Sequence, residues 1–199
     1  MRKMPDPILC LASVSPRRQE LLAQIGVPHT VVGAHIDETV RRDEAPREYV
    51  SRMAREKALA VRAKGELLPV LAADTTVVLD EVVFGKPKGR ADGLEMLTQL
   101  SGRTHQVLTA VALSVGADVS LSVSTSEVRF RPLAPEECAA YWETGEPHDK
   151  AGGYAIQGRG AVFIEWLSGS YSGVMGLPLF ETAELLQAAG VPCWYGGSR

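Results

Sequence analysis

The spacing of hydrophobic positions changes several times along the first part of the chain, and each change predicts an element boundary. An apolar run at 8–12 predicts a strand, and helical spacing at 19–25 predicts a helix that ends at Gly26. A second helical stripe extends from Pro46 to about Lys64. This alternation of strand and helix is typical of an α/β sheet.

The remainder of the chain contains longer strand-like segments. The run 70–73 ends in Asp74-Thr75-Thr76, so we expect Asp74 at a strand end, followed by a second strand at 77–79. The segments 105–115 and 119–130 flank Gly116-Ala117-Asp118 and predict an antiparallel hairpin. Further expectations are helices at 91–100, 135–143 and 179–189, a strand at 161–166 and a loop at 168–178. Together these elements predict a mixed sheet flanked by helices on both sides, in a single domain spanning 1–199.

Composition restricts the classes of function. The 199 residues are 45% hydrophobic and 23% charged, as in ordinary globular proteins. A net charge of −3 argues against a broad nucleic-acid-binding surface. The three cysteines form no C-x-x-C pair, so a disulfide framework or a zinc site is not indicated. The apolar runs are too short for a signal peptide or a membrane span, and we expect a cytoplasmic protein without a membrane partner.

The turn at 13–18 joins the first strand to the first helix and has the features of an anion site. Ser15 is a suitable N-cap and Pro16 suits the first helical position, which leaves backbone N–H groups facing outward. Arg17 and Arg18 oppose the helix dipole, so a negative group is expected nearby. The alternative is that both arginines are simply solvated on a surface helix.

Several charged residues elsewhere are individually weak signals. Lys57 lies within the apolar stripe of its helix, so its ammonium group must reach solvent, a carboxylate or a ligand. Asp74 follows four apolar residues and either binds a metal or a water, or only caps a turn. Glu38 and Lys86 lie in predicted loops. Gln157, in a glycine-rich segment, offers a donor and an acceptor to a nucleotide base, or is a solvated loop residue.

Taken together, these residues match the needs of nucleoside triphosphate hydrolysis: cations for the phosphates, carboxylates for a divalent ion, and a base for water. The cations are Arg17, Arg18, Lys57 and Lys86, and the carboxylates are Glu38 and Asp74. The chain has no G-x-x-x-x-G-K-[ST] motif, which excludes a P-loop NTPase, and no H-E-x-x-H motif, which argues against a zinc hydrolase.

Six motifs in order, from about Leu9 to Leu186, resemble the Maf nucleoside triphosphate pyrophosphatases. They are ASVSPRR with ELL at 12–22, AREKA at 54–58, ADT at 73–75, GKP at 85–87, SGRTH at 101–105 and DKAGGY at 149–154. The resemblance implies cleavage between the α and β phosphates with a divalent cation, Mg²⁺ or Mn²⁺. It also implies a strongly twisted mixed sheet in two lobes, with the active-site cleft between them, and a possible homodimer.

The resemblance also implies a role for each matching residue. Asp74 matches the catalytic acceptor of the water proton. Substrate-specificity positions are matched by Arg17, Thr75 and Gln157. Phosphate contacts are matched by Ser13, Arg18, Lys57 and Lys86, and metal contacts by Glu38 and Asp74.

The segment Gly153-Tyr154-Ala155-Ile156-Gln157-Gly158 resembles the branch of the family that acts on dTTP and UTP. The branch acting on 7-methyl-GTP typically has an acidic residue where Gln157 stands. An amide can pair with the mixed donor and acceptor edge of uracil or thymine, whereas a carboxylate only accepts. Two alternatives stay open: the same chemistry on other or modified nucleotides, and a septum-related regulator of cell division acting through a partner.

Overall fold

The computed structural model describes residues 6–194. Its strands are β1 (Leu9–Leu11), β2 (His29–Val31), β3 (Val70–Leu79), β4 (Val82–Phe84), β5 (Thr104–Val115), β6 (Asp118–Phe130) and β7 (Ile164–Ser168). Its helices are α1 (Pro16–Gln24), α2 (Pro46–Arg62), α3 (Arg90–Leu100), α4 (Pro135–Glu143), α5 (Tyr171–Met175) and α6 (Leu179–Ala188). Three short 3-10 helices lie between α4 and β7, at Glu146–Asp149, Ala151–Gly153 and Arg159–Phe163.

All seven strands belong to one sheet, ordered β2-β1-β3-β5-β6-β7, with β4 beside β3. The β1 strand is parallel to β2 and β3, whereas the pairs formed by β4, β5, β6 and β7 are antiparallel. The predicted mixed α/β sheet is therefore confirmed. The expected hairpin is also present, because Val115 of β5 pairs with Asp118 of β6 across a two-residue turn.

Helices cover both faces of the sheet, as expected. On one face α2 packs Val50, Ala54, Ala58 and Val61 against Cys10, Val70 and Ala72. On the other face α1 and α6 pack Leu21, Leu22 and Leu186 against Leu9, Leu11 and Leu71. A separate cluster, with α3 and α4, covers the end of the sheet formed by Val77, Leu79, Val107 and Phe130. The hydrophobic core is thus divided between two ends of one sheet.

Three sequence expectations are wrong. β3 is one continuous strand, because the β-branched Thr75 and Thr76 extend it rather than end it. The strand expected at 161–166 is Ile164–Ser168, since a 3-10 helix occupies Arg159–Phe163. The loop expected at 168–178 contains α5, which begins where the Ser170 hydroxyl accepts a hydrogen bond from the Gly173 N–H at 3.0 Å.

The edge of β3 that faces β1 and β4 has a gap that positions the functional site. The β1 strand reaches only Val70 and Leu71, and β4 pairs only with 77–79. Within residues 6–194, no strand pairs with 72–76 on this edge, although β5 pairs with β3 along the opposite edge from Val70 to Val78. Asp74, Thr75 and Thr76 therefore lie at an opening between the two ends of the sheet, whereas Ala72 and Ala73 are in the core. In the same described range, no helix has the length and apolar character needed to cross a membrane.

Candidate active site

A cavity of about 570 Å³ lies at the gap in the sheet edge. Its walls come from the β1–α1 turn, the middle of β3, the loop after β4, the segment 149–157 and the end of α5. The nine residues singled out from the sequence all line this cavity: Ser13, Arg17, Arg18, Glu38, Lys57, Asp74, Thr75, Lys86 and Gln157. The structure thus brings together side chains that are separated by up to 144 positions in the chain.

Ser13, rather than Ser15, organises the turn before α1. Ser15 occupies the N-cap position of α1 as expected, but its side chain makes no capping hydrogen bond. Instead, the Ser13 hydroxyl oxygen accepts from the Ser15 N–H at 3.3 Å and from Nη1 of Arg18 at 3.3 Å. Pro16 occupies the beginning of the helix as expected. Ser13 therefore links the turn to a cavity cation.

Arg18 is anchored on three sides. Besides Ser13, its Nε donates to the carbonyl of Gly176 at 2.8 Å and its Nη2 to the hydroxyl of Thr75 at 3.3 Å. Burial lowers the pKa of Arg18, and the negative charge of Asp74 opposes this effect. Arginine nonetheless stays charged at physiological pH. A solvated surface role is therefore excluded for Arg18, which is a fixed positive charge beside the carboxylates.

Arg17 serves a different part of the cavity. Burial lowers its pKa, and the opposing negative charges belong to Asp149, Glu146 and Glu20. Asp74 and Glu38 are the carboxylates that act on Arg18. The two adjacent arginines of α1 thus separate toward two ends, one at the β3 carboxylate and one at the segment that contains Gln157.

Lys57 joins the two carboxylates. Its Nζ donates to Oδ1 of Asp74 at 2.6 Å and lies 2.7 Å from Oε1 of Glu38. Lys57 is only 9% exposed and Asp74 only 8% exposed. The lysine stem leaves the packed face of α2 as its position in the apolar stripe required, and its ammonium group ends on carboxylates rather than in solvent.

Asp74 lies in the middle of β3, opposite Ala110 of β5, so the expectation of a strand end is wrong. Its access to the cavity comes from the unpaired edge and not from termination of the strand. Burial raises the pKa of Asp74, while Lys57 and Arg18 oppose the increase. A raised pKa makes this carboxylate a stronger proton acceptor than an exposed aspartate.

The remaining predicted residues lie around this centre. Burial alone would raise the pKa of Glu38, but the hydrogen bond and charge of Lys57, together with Lys86 and Arg18, lower it below its ordinary value. Lys86 and Gln157 are exposed side chains at the cavity wall. Glu38 therefore remains ionised, and both Lys86 and Gln157 are accessible to a ligand.

Sequence reasoning missed Thr109. This 1% exposed residue of β5 donates its hydroxyl hydrogen to the carbonyl of Gly173 at 2.7 Å and lies 3.0 Å from the Thr75 hydroxyl oxygen. Because Thr109 has already used its hydrogen, Thr75 must donate to it. Thr75 also accepts from Arg18, so its free lone pair can only accept from a ligand. The available signal was that Thr109 is the single hydroxyl residue in the apolar run 107–113.

The donor set fits a divalent cation that is completed by its substrate. Glu38 and Asp74 converge on one positive centre, the Nζ of Lys57, and this shows that both carboxylates can address a common cation. Residues 6–194 contain no cluster of three His, Cys, Asp or Glu side chains able to hold a metal ion. Two carboxylates with substrate phosphates and waters are the usual Mg²⁺ environment.

Fold and site define an α/β protein with a cation-lined cleft and a buried, lysine-paired aspartate. The sequence model of the family described as Maf-like protein matches residues 8–189. The chain therefore belongs to the Maf family.

Curated relatives are similar to this chain over most of their length. A protein of Alkalilimnicola ehrlichii named dTTP/UTP pyrophosphatase is 56% identical over 186 residues, which cover 90% of this chain and 92% of the relative. Proteins of the same name from Methylococcus capsulatus and Saccharophagus degradans are 53% and 50% identical, over 94% of this chain in both cases and over 93% and 90% of the relatives.

Proposed function

We propose that the protein hydrolyses dTTP and UTP to the nucleoside monophosphate and pyrophosphate. The observation that carries the proposal is the buried Lys57–Asp74 pair beside Glu38 and Arg18 in one cleft. Three relatives that are at least 50% identical over most of the chain have the name dTTP/UTP pyrophosphatase, which supports this choice of substrates.

The phosphates bind among the cations of the cleft. Arg18 is pre-organised by Ser13 and Gly176, so it loses little freedom when it meets an anion. Lys57 and Lys86 add positive charge on the side of Glu38. These groups stabilise the charge that develops on the leaving pyrophosphate.

Glu38 and Asp74 would hold a divalent cation, Mg²⁺ or Mn²⁺, together with the substrate phosphates. Such an ion, when bound, neutralises phosphate charge and favours water attack. Lys57 contacts both carboxylates and keeps them oriented toward the same point.

Asp74 acts as the general base. Its carboxylate accepts a proton from the attacking water, and the new bond forms between the water oxygen and the α phosphorus. The bond from that phosphorus to the bridging oxygen breaks, and pyrophosphate leaves with the bonding electrons. Burial, which raises the pKa of Asp74, makes it suitable for this step, and Lys57 keeps it ionised beforehand.

Base selection involves Gln157 and Arg17 at the far end of the cleft, together with Thr75 beside Arg18 on β3. Gln157 offers a carbonyl and an NH₂ group to the edge of uracil or thymine, and Thr75 offers an acceptor. Arg17 lies toward the same segment. Substitution of Gln157 by Glu removes the donor and is expected to reduce selection of pyrimidines.

The proposal includes the domain organisation of the protein and its cellular location. One cavity uses residues from Ala12 to Gly176, which supports a single domain over 1–199. All three cysteines are unpaired, with Cys10 and Cys138 buried, and this supports a cytoplasmic location. A homodimer remains a prediction.

Product analysis tests the proposed function. Incubation with dTTP or UTP in ¹⁸O-labelled water should give pyrophosphate as the phosphate product, with the label in the monophosphate, because water attacks the α phosphorus. Release of orthophosphate, or label in the pyrophosphate, would contradict the proposal.

The Asp74→Asn variant tests the general base. An amide cannot accept the water proton, and general-base catalysis typically contributes about 10²- to 10⁴-fold, so kcat should fall within that range while nucleotide still binds. Asp80→Asn is the matched control, because Asp80 is exposed at the β3–β4 turn and its carboxylate, among residues 6–194, pairs only with Arg103. Equal activity of Asp74→Asn and Asp80→Asn would refute the role of Asp74.

A further inference from the structure

The backbone on both sides of Gln157 is held by a pair of side chains that do not line the cavity. Tyr141 of α4 is 5% exposed, and its hydroxyl donates to Oε1 of Glu146 at 2.7 Å. Neither residue contributes to the cavity wall, whereas Ala155, Ile156 and Gln157 do. Any influence of this pair on a ligand must therefore pass through the segment that contains Gln157.

Tyr141 and Glu146 bind the backbone on both sides of Gln157. Before it, the Ala155 N–H donates to the Tyr141 hydroxyl oxygen at 3.1 Å. After it, the Arg159 N–H donates to Oε2 of Glu146 at 3.0 Å, and the Gly160 N–H donates to Oε1 at 3.0 Å. Three backbone amides within six residues are thus fixed by two side chains.

The packing against this pair leaves little room for the segment to move. A Cβ atom added at Gly158 would overlap the Glu146 carboxylate, and one added at Gly160 would lie 2.7 Å from the Tyr141 hydroxyl oxygen. Because real Cβ atoms do not approach other atoms so closely, only glycine allows the backbone to approach the pair. Gln157 is therefore placed by a close backbone contact as well as by hydrogen bonds.

The negative charge of Glu146 also acts on Arg17 at this end of the cavity. Burial would raise its pKa, but the hydrogen bonds from Tyr141, Arg159 and Gly160 lower it below its ordinary value, so the group is ionised at neutral pH. Glu146 is one of the negative charges that act on Arg17. The same carboxylate thus fixes the backbone around Gln157 and attracts the arginine that lies toward it.

We propose that Tyr141 and Glu146 are positioning residues that set base recognition by fixing Gln157, without contacting the nucleotide. This inference rests on the proposed function, since it assigns the cause of selectivity in that site. It predicts that losing the pair weakens recognition of the base while binding of the phosphates and the chemical step stay intact.

The variants Glu146→Gln and Tyr141→Phe test the inference. The amide of Glu146→Gln presents an NH₂ group to one backbone donor, and Tyr141→Phe leaves the Ala155 N–H without its partner. In both, KM for UTP and dTTP should rise about tenfold, the factor expected from loss of one ordinary hydrogen bond, with kcat within about twofold of wild type. Inhibition by inorganic tripolyphosphate, which has no base, should be unchanged.

Glu137→Gln is the matched control. Glu137 lies on α4, as Tyr141 does, and like Glu146 it accepts from a backbone N–H, that of Ala134. It also accepts from the side chain of Arg131, and it does not line the cavity. Its loss should lower Tm without changing KM for either nucleotide. If Glu137→Gln raises KM as much as Glu146→Gln does, the effect is general destabilisation and the inference is wrong.

A double-mutant cycle with Gln157→Ala separates positioning from a general structural role. If Glu146 acts through Gln157, then Glu146→Gln should change KM by less than about twofold once Gln157 is absent. Full additivity, or a parallel loss of tripolyphosphate inhibition, would overturn the inference. Should Tyr141→Phe fail to fold, Glu146→Gln alone gives this cycle. If the wild-type protein does not hydrolyse UTP, the proposed function is wrong. If the wild-type protein is active but Glu146→Gln leaves KM unchanged, only the positioning role of Glu146 is wrong.

Discussion

Substitution of Lys57 by Met removes the charge between Asp74 and Glu38 while it preserves most of the buried stem. Asp74, at 8% exposed, then loses its 2.6 Å hydrogen bond and its nearest positive charge. Removing one partner of a buried ion pair typically destabilises a protein by about 3 to 5 kcal/mol. For a domain of this size, a loss of about 3 kcal/mol corresponds to a fall in Tm of roughly 6 to 12 °C.

The size of this loss should depend on pH. Burial already raises the folded-state pKa of Asp74, and loss of Lys57 raises it further because Lys57 opposes the shift. A protonated carboxyl group carries no unpaired charge, so stability of the variant is retained at low pH and lost as pH rises through the folded-state pKa. The difference in Tm between wild type and variant should therefore be smaller near about pH 5 than near about pH 8.

Calorimetry at several pH values and the pH profile of kcat/KM provide the assay. The acidic limb of that profile reports ionisation of the base in free enzyme, so it should move to higher pH in Lys57→Met. Arg62→Met is the control on the same helix, because Arg62 donates to the carbonyls of Glu66 and Ser114, both at 2.6 Å, away from the cavity. It should lower Tm without moving the limb. An unmoved limb in Lys57→Met, with a Tm difference independent of pH, would refute the reasoning.

The other predictions concern two buried polar residues of β5. Thr109→Val removes the acceptor of the Thr75 hydroxyl and one of the two donors to the Gly173 carbonyl, which keeps the Gly176 N–H at 2.9 Å. KM should therefore rise and stability should fall by about 1 to 3 kcal/mol, with both restored in Thr109→Ser. Failure of Thr109→Ser to restore KM would contradict this. Burial lowers the pKa of His105 to about 4, so the unfolded chain binds its proton more tightly and stability falls as pH drops from about 6.5 toward that value. His105→Leu should reduce this acid sensitivity in thermal unfolding, and an unchanged slope of Tm against pH would argue against it.

Local sequence signals located the helices well where a proline fixes the first turn. Pro46 and Pro135 begin α2 and α4 as expected, since proline supplies helical φ and lacks an N–H that would be unpaired there. They failed for α5, whose five residues give no periodic pattern, and for β7, which begins after an irregular turn. Short elements depend more on tertiary hydrogen bonds than on spacing, and the bond from the Thr109 hydroxyl of β5 to the Gly173 carbonyl of α5 is an example.

In the candidate site, too, the sequence predicted some features and the tertiary structure was needed for others. Motif resemblance gave the identities of all nine predicted site residues, each of which lines the cavity, but Asp74 was expected at the end of a strand. The lengths of β1 and β4, three residues each, decide that Asp74 lies at a gap in the edge of β3. Residues without a motif signal, such as Thr109 and Tyr141, were missed because their contacts connect distant segments.

The sequence by itself determined the α/β class, the helix beginnings and the membership of charged residues in one type of site, because these follow from period, backbone preference and residue chemistry. Only the tertiary structure decided that Lys57 ends on Asp74 and Glu38, and that Arg18 is fixed by Gly176, 158 positions away. Such contacts depend on how faces of helices and strands pack together, and a one-dimensional pattern does not record that arrangement. The Arg18 side chain beside the turn before α1 is therefore placed by partners that the whole fold brings to it.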